Sequence, residues 1–512
     1  YEEIERLYPA SIKTEVAMYP KDRKYTVDAN YVLVNRSNKP MKQVFITERK
    51  VLDTVSIENA DLIKHDADFG IYLFKFNKAL QPQDSVVFKF QLTNSVIGYE
   101  RDKSIINNGT YINRFSKFDP ILGYTNSLEI ANARERKKRN LPLRIEENES
   151  SDAHIAFEDV KYEKVNFETI ISTSKDQTAI SSGKLLKQWI ENNRNYFHYK
   201  SLRKISPEAG YFSAKYKTKK TNYKGVSIEQ YYDVNHYFNI DAIEKSIKAT
   251  LDYSQENFGA YQFDHLRIAE VPAHWPFGGF AHPGVISMVE DRLYLSDVSD
   301  EDTFNVVAKR TIHEVSHQWW GHTLPSKPVA GGAFLVEGHA KYTEAMVMEK
   351  MYGKGALYTL AENTRSRYFS GRSFASNIEP PVYKVDGQSY ISYGKALNTL
   401  LALRDLIGEK QVNKVLKTLT DTFRNSNKLE ATTLDFLTEV YKVTPINQHH
   451  LINDWFKKVI TYDIGIDNAT TKELANGTYE VTLKVKAKRL ETLENGEVKQ
   501  ISIDEPIKIG IF

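Results

Sequence analysis

The chain has 512 residues, 41% of them hydrophobic and 26% charged, and its 69 Lys and Arg against 66 Asp and Glu leave a net charge of +3. That balance fits a folded protein of about three domains, and it excludes both a disordered chain and the concentrated basic excess of a nucleic-acid binder. With no cysteine at all, disulfides, thiol catalysis, iron–sulfur clusters and Cys-ligated zinc are ruled out, so any metal must rest on His and carboxylates.

From residue 12 to 238 the pattern alternates and is rich in β-branched and aromatic residues. Segments 31–34, 70–76, 85–92, 169–173 and 227–232 read as strands, which predicts a large antiparallel sheet domain over 1–238. Two basic stretches fall inside it, 134–139 and the Lys/Tyr interleave 215–224. Both read as solvated hairpin faces rather than as stripes for nucleic acid or anionic lipid.

The period changes at Asn239. Ile240, Ile243, Ile247, Leu251, Ser254 and Phe258 recur at helical spacing, with Asn239 or Asp241 as cap and Gly259 as stop. A strand at 266–271, a Gly/Pro-rich loop and several helices follow, which predicts an α-rich domain over 239–460. Strands return after Tyr462, with Asn476-Gly477 and Asn495-Gly496 as turns. About three strands fit there, too few for an independent sandwich, so 461–512 is expected to be part of a β-sandwich. The apolar runs are far shorter than the ~18–20 residues of a membrane helix. The chain opens at Tyr1 without a signal-like segment, and we expect it to be a piece of a longer protein.

His313-Glu314-Val315-Ser316-His317 has the form HExxH. On a helix, positions i and i+4 share a face, so two imidazoles can hold one metal while the Glu between them faces its water. Glu301 and Asp302 supply an acidic first turn, and Phe304, Val307, Ala308, Ile312 and Val315 an apolar face. The competing reading is a pair of hydrogen-bonded core histidines. A catalytic zinc needs a third protein ligand. Glu337 is the first choice for it, with His322 and His339 as the nearby alternatives. Glu344, seven residues past Glu337, is placed to orient a ligating His.

HEVSHQWWGH followed by VEGHAKYTEA resembles the gluzincin metallopeptidases of the aminopeptidase N and leukotriene hydrolase type. Gly278-Gly279-Phe280-Ala281-His282 stands where that family has its GGMEN-like loop, and Tyr393-Gly394-Lys395-Ala396 where it has Tyr-Glu-Lys-Gly. The resemblance implies an α+β multidomain fold with an N-terminal antiparallel β domain, a thermolysin-like α-rich catalytic domain and a truncated C-terminal β-sandwich. It further implies one Zn2+ per chain on His313, His317 and Glu337, with Glu314 as general base and Tyr393 stabilising the oxyanion. The substrate would be a peptide, met by Gly278, Gly279, Phe280 and Ala281, and no nucleic-acid partner is expected.

Two departures stand out. Residues 318–336 separate His317 from Glu337, one more than usual in that family. Ala281 occupies the position whose Glu binds the substrate's free amine, and Glu290 and Asp291 are the nearest carboxylates that could replace it. The chain also resembles peptidase domains joined to bacterial ABC-type permeases. That likeness implies a soluble domain of a membrane protein, either hydrolysing peptides or keeping zinc as a weakly active scaffold; it leaves the side of the membrane open, with the extracytoplasmic side favoured.

Overall fold

In the computed structural model, residues 3–98, 102–124, 130, 133–142, 164–300, 303–326, 329–375, 377–385, 387–424, 430–503 and 505 are described. The alternation of the first half becomes three sheets that share one apolar core. Strand Lys24–Val34 turns Tyr25, Val27, Ala29, Tyr31 and Leu33 inward, while Lys24, Thr26, Asp28 and Asn30 alternate with them. It lies in a seven-stranded sheet ordered Lys184–Glu191, Arg194–Lys200, Asn166–Ser174, Tyr8–Tyr19, Lys24–Val34, Ser85–Ser95, Thr54–Ile57. Val44, Ile46, Tyr72 and Phe74 of a four-stranded sheet complete the same core. Pairing in the larger sheet is antiparallel except between Tyr8–Tyr19 and Asn166–Ser174, which run parallel.

The helical half is built on a mixed five-stranded sheet that begins before residue 238. Its order is Lys217–Tyr223, Val226–Tyr232, His265–Val271, Val285–Val289, Gly279–His282. The middle three strands are parallel, and helix Ile240–Phe258 makes the crossover between the first two of them. That helix buries Ile243, Ile247, Leu251 and Phe258, as its spacing predicts, and ends at Gly259 with φ 105°. Asn239 is not a side-chain cap; its amide donates instead to the carbonyls of Leu293, Tyr294 and Ser296. Strand Gly279–His282 is an edge, antiparallel to Val285–Val289. A small core of Tyr111, Phe212, Tyr231, Val271 and Val285 joins this sheet to a three-stranded sheet of the first half.

The two basic stretches differ from each other. Residues 134–138 lie on a short helix, Ala133–Lys138, not a hairpin, and Arg139 follows it; Glu135 pairs with both Lys138 and Arg139 at helical spacing. Lys217–Tyr223 is a hairpin strand, and Lys219 meets Asp241 and Glu244 at 2.6 and 2.7 Å while Lys224 meets Asp252 at 2.6 Å. Helix carboxylates therefore balance the positive stripe. At the C-terminal end, Val459–Glu473, Tyr479–Thr492 and Val498–Ile501 form an antiparallel sheet, a single layer among the described residues. Only its base is buried, where Arg489 pairs with Asp454. No helix among the described residues is long and apolar enough to cross a membrane.

Candidate metal centre

Helix Val306–Ser316 carries the first two candidate ligands. Asn305 caps it, its Oδ1 accepting from Ala308 N at 2.8 Å. The acidic start expected at Glu301 and Asp302 lies outside the described residues. Val307, Ala308, Ile312 and Val315 are buried and anchor the helix, which turns His313 and His317 to one side. Glu337 arrives from a π-helical turn, Phe334–Gly338, that opens helix His339–Tyr352. Gly338 lets this turn approach helix Ala396–Ile407, since a Cβ there would lie 3.3 Å from Ala396 Cβ.

Three ligand atoms converge. Glu337 Oε2 lies 3.4 Å from both His313 Nε2 and His317 Nε2, and the two Nε2 atoms are 3.3 Å apart. A tetrahedral zinc with bonds of ~2.0–2.1 Å spaces its ligand atoms roughly 3.3–3.4 Å apart, so the triangle has the size zinc requires. Glu337 Oε2 is buried without a hydrogen-bond partner. The outer faces of the imidazoles are held: His313 Nδ1 is 3.1 Å from Glu344 Oε2, and His317 Nδ1 is 3.1 Å from the carbonyl of Trp320. With a proton on each Nδ1, the two Nε2 lone pairs would be free for a metal. Burial works against a charged Glu344, but Lys341, Lys309 and His313 hold its pKa down to about 2, and Lys341 Nζ donates to its Oε1 at 2.6 Å. Burial likewise opposes a charged His317, yet the Glu337 carboxylate lifts it to about 9. The site therefore attracts positive charge.

Glu314 is buried beside the triangle, and burial raises its pKa against the pull of His313 and His317. The edge strand passes directly over it. A Cβ on Gly279 would lie 2.7 Å from Glu314 Cδ, and one on Gly278 would lie 2.7 Å from Arg310 Nε. Tyr393 sits in a second π-helical turn, Ile391–Lys395, with its ring 6.0 Å from that of His313. Burial and then the neighbouring Glu337 push its phenol pKa well up, so it stays a donor. Arg367 lies over its outer face at 4.6 Å.

The remaining candidates separate cleanly. His322 Nε2 is 3.1 Å from the carbonyl of Ala281, bracing the loop. His339 is enclosed by the rings of Trp320, Phe334 and Phe436, away from the triangle's three atoms. Phe280 faces the rings of His282 and Phe277, and Ala281 is almost buried. Glu290 accepts from Ala273 N at 3.0 Å and groups with His236 and Glu270, a cluster that shares no residue with His313, His317 and Glu337. Sequence reading passed over Arg310, one helical turn before Glu314, which carries no local motif.

Residues 238–455 match the Peptidase family M1 domain. Over 208 residues the chain is 28% identical to aminopeptidase B of Rattus norvegicus, covering 38% of this chain and 30% of that protein. Over 283 residues it is 22% identical to the probable aminopeptidase 2 of Sulfurisphaera tokodaii, covering 51% and 36%. The chain thus spans about a third of the length of these curated relatives. An M1 zinc metallopeptidase mutant from Deinococcus radiodurans, solved with a Tyr-Ser-Ala substrate, has the same fold, with a TM-score of 0.60 at 13% identity over 88% of this chain and 94% of that one.

Proposed function

We propose that the chain is a gluzincin peptidase of the M1 aminopeptidase type, hydrolysing peptides with one zinc held by His313, His317 and Glu337. The triangle of ligand atoms, 3.3–3.4 Å on a side and braced from behind by Glu344 and Trp320, carries this reading. Bound there, zinc supplies Lewis acidity that acidifies water and polarises the scissile carbonyl. The chain's own groups do the rest. Glu314, with its pKa raised by burial, takes a proton from the attacking water at its carboxylate and returns it to the leaving nitrogen. Tyr393 OH donates to the developing oxyanion. Strand Gly279–His282 ends its sheet, and its open edge can pair with an extended peptide laid across Glu314.

Elemental analysis and turnover of amino-acid p-nitroanilides test this reading. We expect about one zinc per chain, its loss in His313→Ala, and a fall in kcat of about 10²–10⁴-fold in Glu314→Gln with zinc retained. Full zinc retention in His313→Ala would refute the site, and unchanged turnover in Glu314→Gln would refute the base. Ala281 favours a second reading, a zinc-holding, peptide-binding domain beside a membrane permease. A wild-type protein that binds zinc but is no faster than Glu314→Gln on a broad peptide panel would favour this reading over catalysis.

A further inference from the structure

Two side chains of helix Val306–Ser316 meet successive glycines of the edge-strand loop. A Cβ on Gly279 would lie 2.7 Å from Glu314 Cδ, and one on Gly278 would lie 2.7 Å from Arg310 Nε. Positions i and i+4 of a helix are neighbours, with Cβ atoms about 5–6 Å apart. Arg310 therefore borders Glu314 and His313 on the side away from His317, under the strand edge on which an extended peptide can lie.

A guanidinium in that place is under-used. It offers several N–H donors in a fixed fork, and only Nη1 is engaged, donating to the carbonyl of Arg292. It makes no other hydrogen bond and no ion pair among the described residues. Other arginines of the helical half are spent: Arg292 donates to the carbonyls of Trp275 and Phe277, Arg372 pairs with Glu379 at 2.6 Å, and Arg404 pairs with Glu349 at 2.7 Å. Bracing one carbonyl asks for a neutral donor and no charge. The charge of Arg310 is half-buried, burial lowers its pKa, and Glu314, Glu344 and Asp291 act on it only from a distance. A carboxylate carried in by a ligand would match the open part of the fork.

The direction of the reaction selects which carboxylate. Glu314 returns its proton to the leaving nitrogen, so the leaving residue begins beside Glu314. Arg310 stands one turn beyond, about 6 Å along the helix axis. A glutamate side chain carries its carboxyl about 5 Å from its own backbone nitrogen, which spans most of that gap and leaves the rest to the long arginine side chain. In a dipeptide, the terminal carboxylate of the leaving residue falls in the same region.

We propose that Arg310 receives a carboxylate of the leaving residue, so that the chain favours peptides with Asp or Glu directly after the cleaved bond. This rests on the peptidase reading above and adds to it a choice of substrate.

Binding measured without turnover tests the contact. In zinc-loaded Glu314→Gln protein, calorimetry compares Leu-Glu amide, Leu-Gln amide and Leu-Gln acid, with and without Arg310→Gln added. That substitution removes the charge and keeps a donor for the Arg292 carbonyl, so circular dichroism and zinc content should stay unaltered. We expect Leu-Glu amide to bind about 10-fold tighter than Leu-Gln amide, as for a charge-assisted hydrogen bond. The difference should vanish in Arg310→Gln and survive in part in Arg310→Lys. An Arg310-dependent gain for Leu-Gln acid over its amide would show the same contact made by the terminal carboxylate. In the active enzyme, the preference should lie in KM rather than in kcat. Equal binding of all three peptides, or a carboxylate preference that survives Arg310→Gln, overturns the proposal. So does an equal loss of kcat on all three with a shifted acid limb of the pH profile, which would make Arg310 a support for Glu314 instead. Absence of turnover in wild type fails the peptidase reading alone, since the binding comparison needs none.

Discussion

Glu344 borders the proposed metal triangle at His313. Its Oε2 lies 3.1 Å from Nδ1, and Lys341 keeps it ionised in a buried setting where it would otherwise neutralise. Replacing it with Gln removes the charge and keeps the shape, so zinc affinity should fall about 10–100-fold, read by competition with a chromophoric chelator. An affinity within twofold of wild type would show that His313 needs no such support. Tyr393→Phe removes only the donor proposed for the oxyanion. We expect kcat to drop about 10²–10³-fold with zinc content and KM near wild type; a matching rise in KM would place the phenol in ground-state binding instead. These residues were legible in the sequence because helix geometry fixes what i and i+4 can share, and because Tyr393 stood in a recognisable short motif. Arg310 was not, since its closeness to Gly278 of the edge strand appears only in the folded chain.

At the scale of elements, two devices position the site. Glu337 and Tyr393 each occupy a π-helical turn at the head of a helix, Phe334–Gly338 and Ile391–Lys395. Such wide turns are rare and gather at functional sites. The extra residue between His317 and Glu337 was visible in the sequence, but a period of 3.6 cannot reveal where a helix widens. The second device is the glycine pair of the edge strand. The GGMEN-like motif located it, while the reason for glycine appears only in three dimensions, where Gly279 leaves Glu314 its room. Gly279→Ala would force Glu314 or the strand to move by several tenths of an ångström. Because misplacing a catalytic group by 1 Å costs about 10²-fold, kcat should fall at least tenfold with fold and zinc unaltered. Gly355, with nothing within 4 Å of a Cβ and inside helix Lys354–Phe374, is the control: its change to Ala should leave kcat alone and stabilise by about 0.5–1 kcal/mol. Equal activity of both variants would show that the close approach over Glu314 is idle.

Across the whole molecule, periodicity separated a β-rich first half from a helical second half, and the fold agrees. It did not show that strands Lys217–Tyr223 and Val226–Tyr232 belong to the sheet of the helical half, because alternation marks a strand without naming its partner. That shared sheet makes the junction part of the stability of both halves, and it encloses two histidines. Burial and then Arg267 lower the pKa of His265 to about 4; burial, then His322 and Arg114, lower that of His282 to about 3. Unfolded, each takes up a proton near pH 6.5; folded, neither does so until far below that. The unfolded state therefore binds more protons between pH 6.5 and 4, and stability falls as pH drops through that window, by about 1.4 kcal/mol per pH unit for each histidine. Urea midpoints for wild type and His265→Gln at pH 7.5, 6, 5.5 and 5 isolate one of them, above the range where carboxylates dominate. The variant's stability should decline less steeply with acid, by about one proton's worth. Parallel declines in the two proteins would mean that His265 protonates in the folded junction, and that the sheet joining the halves opens to water there.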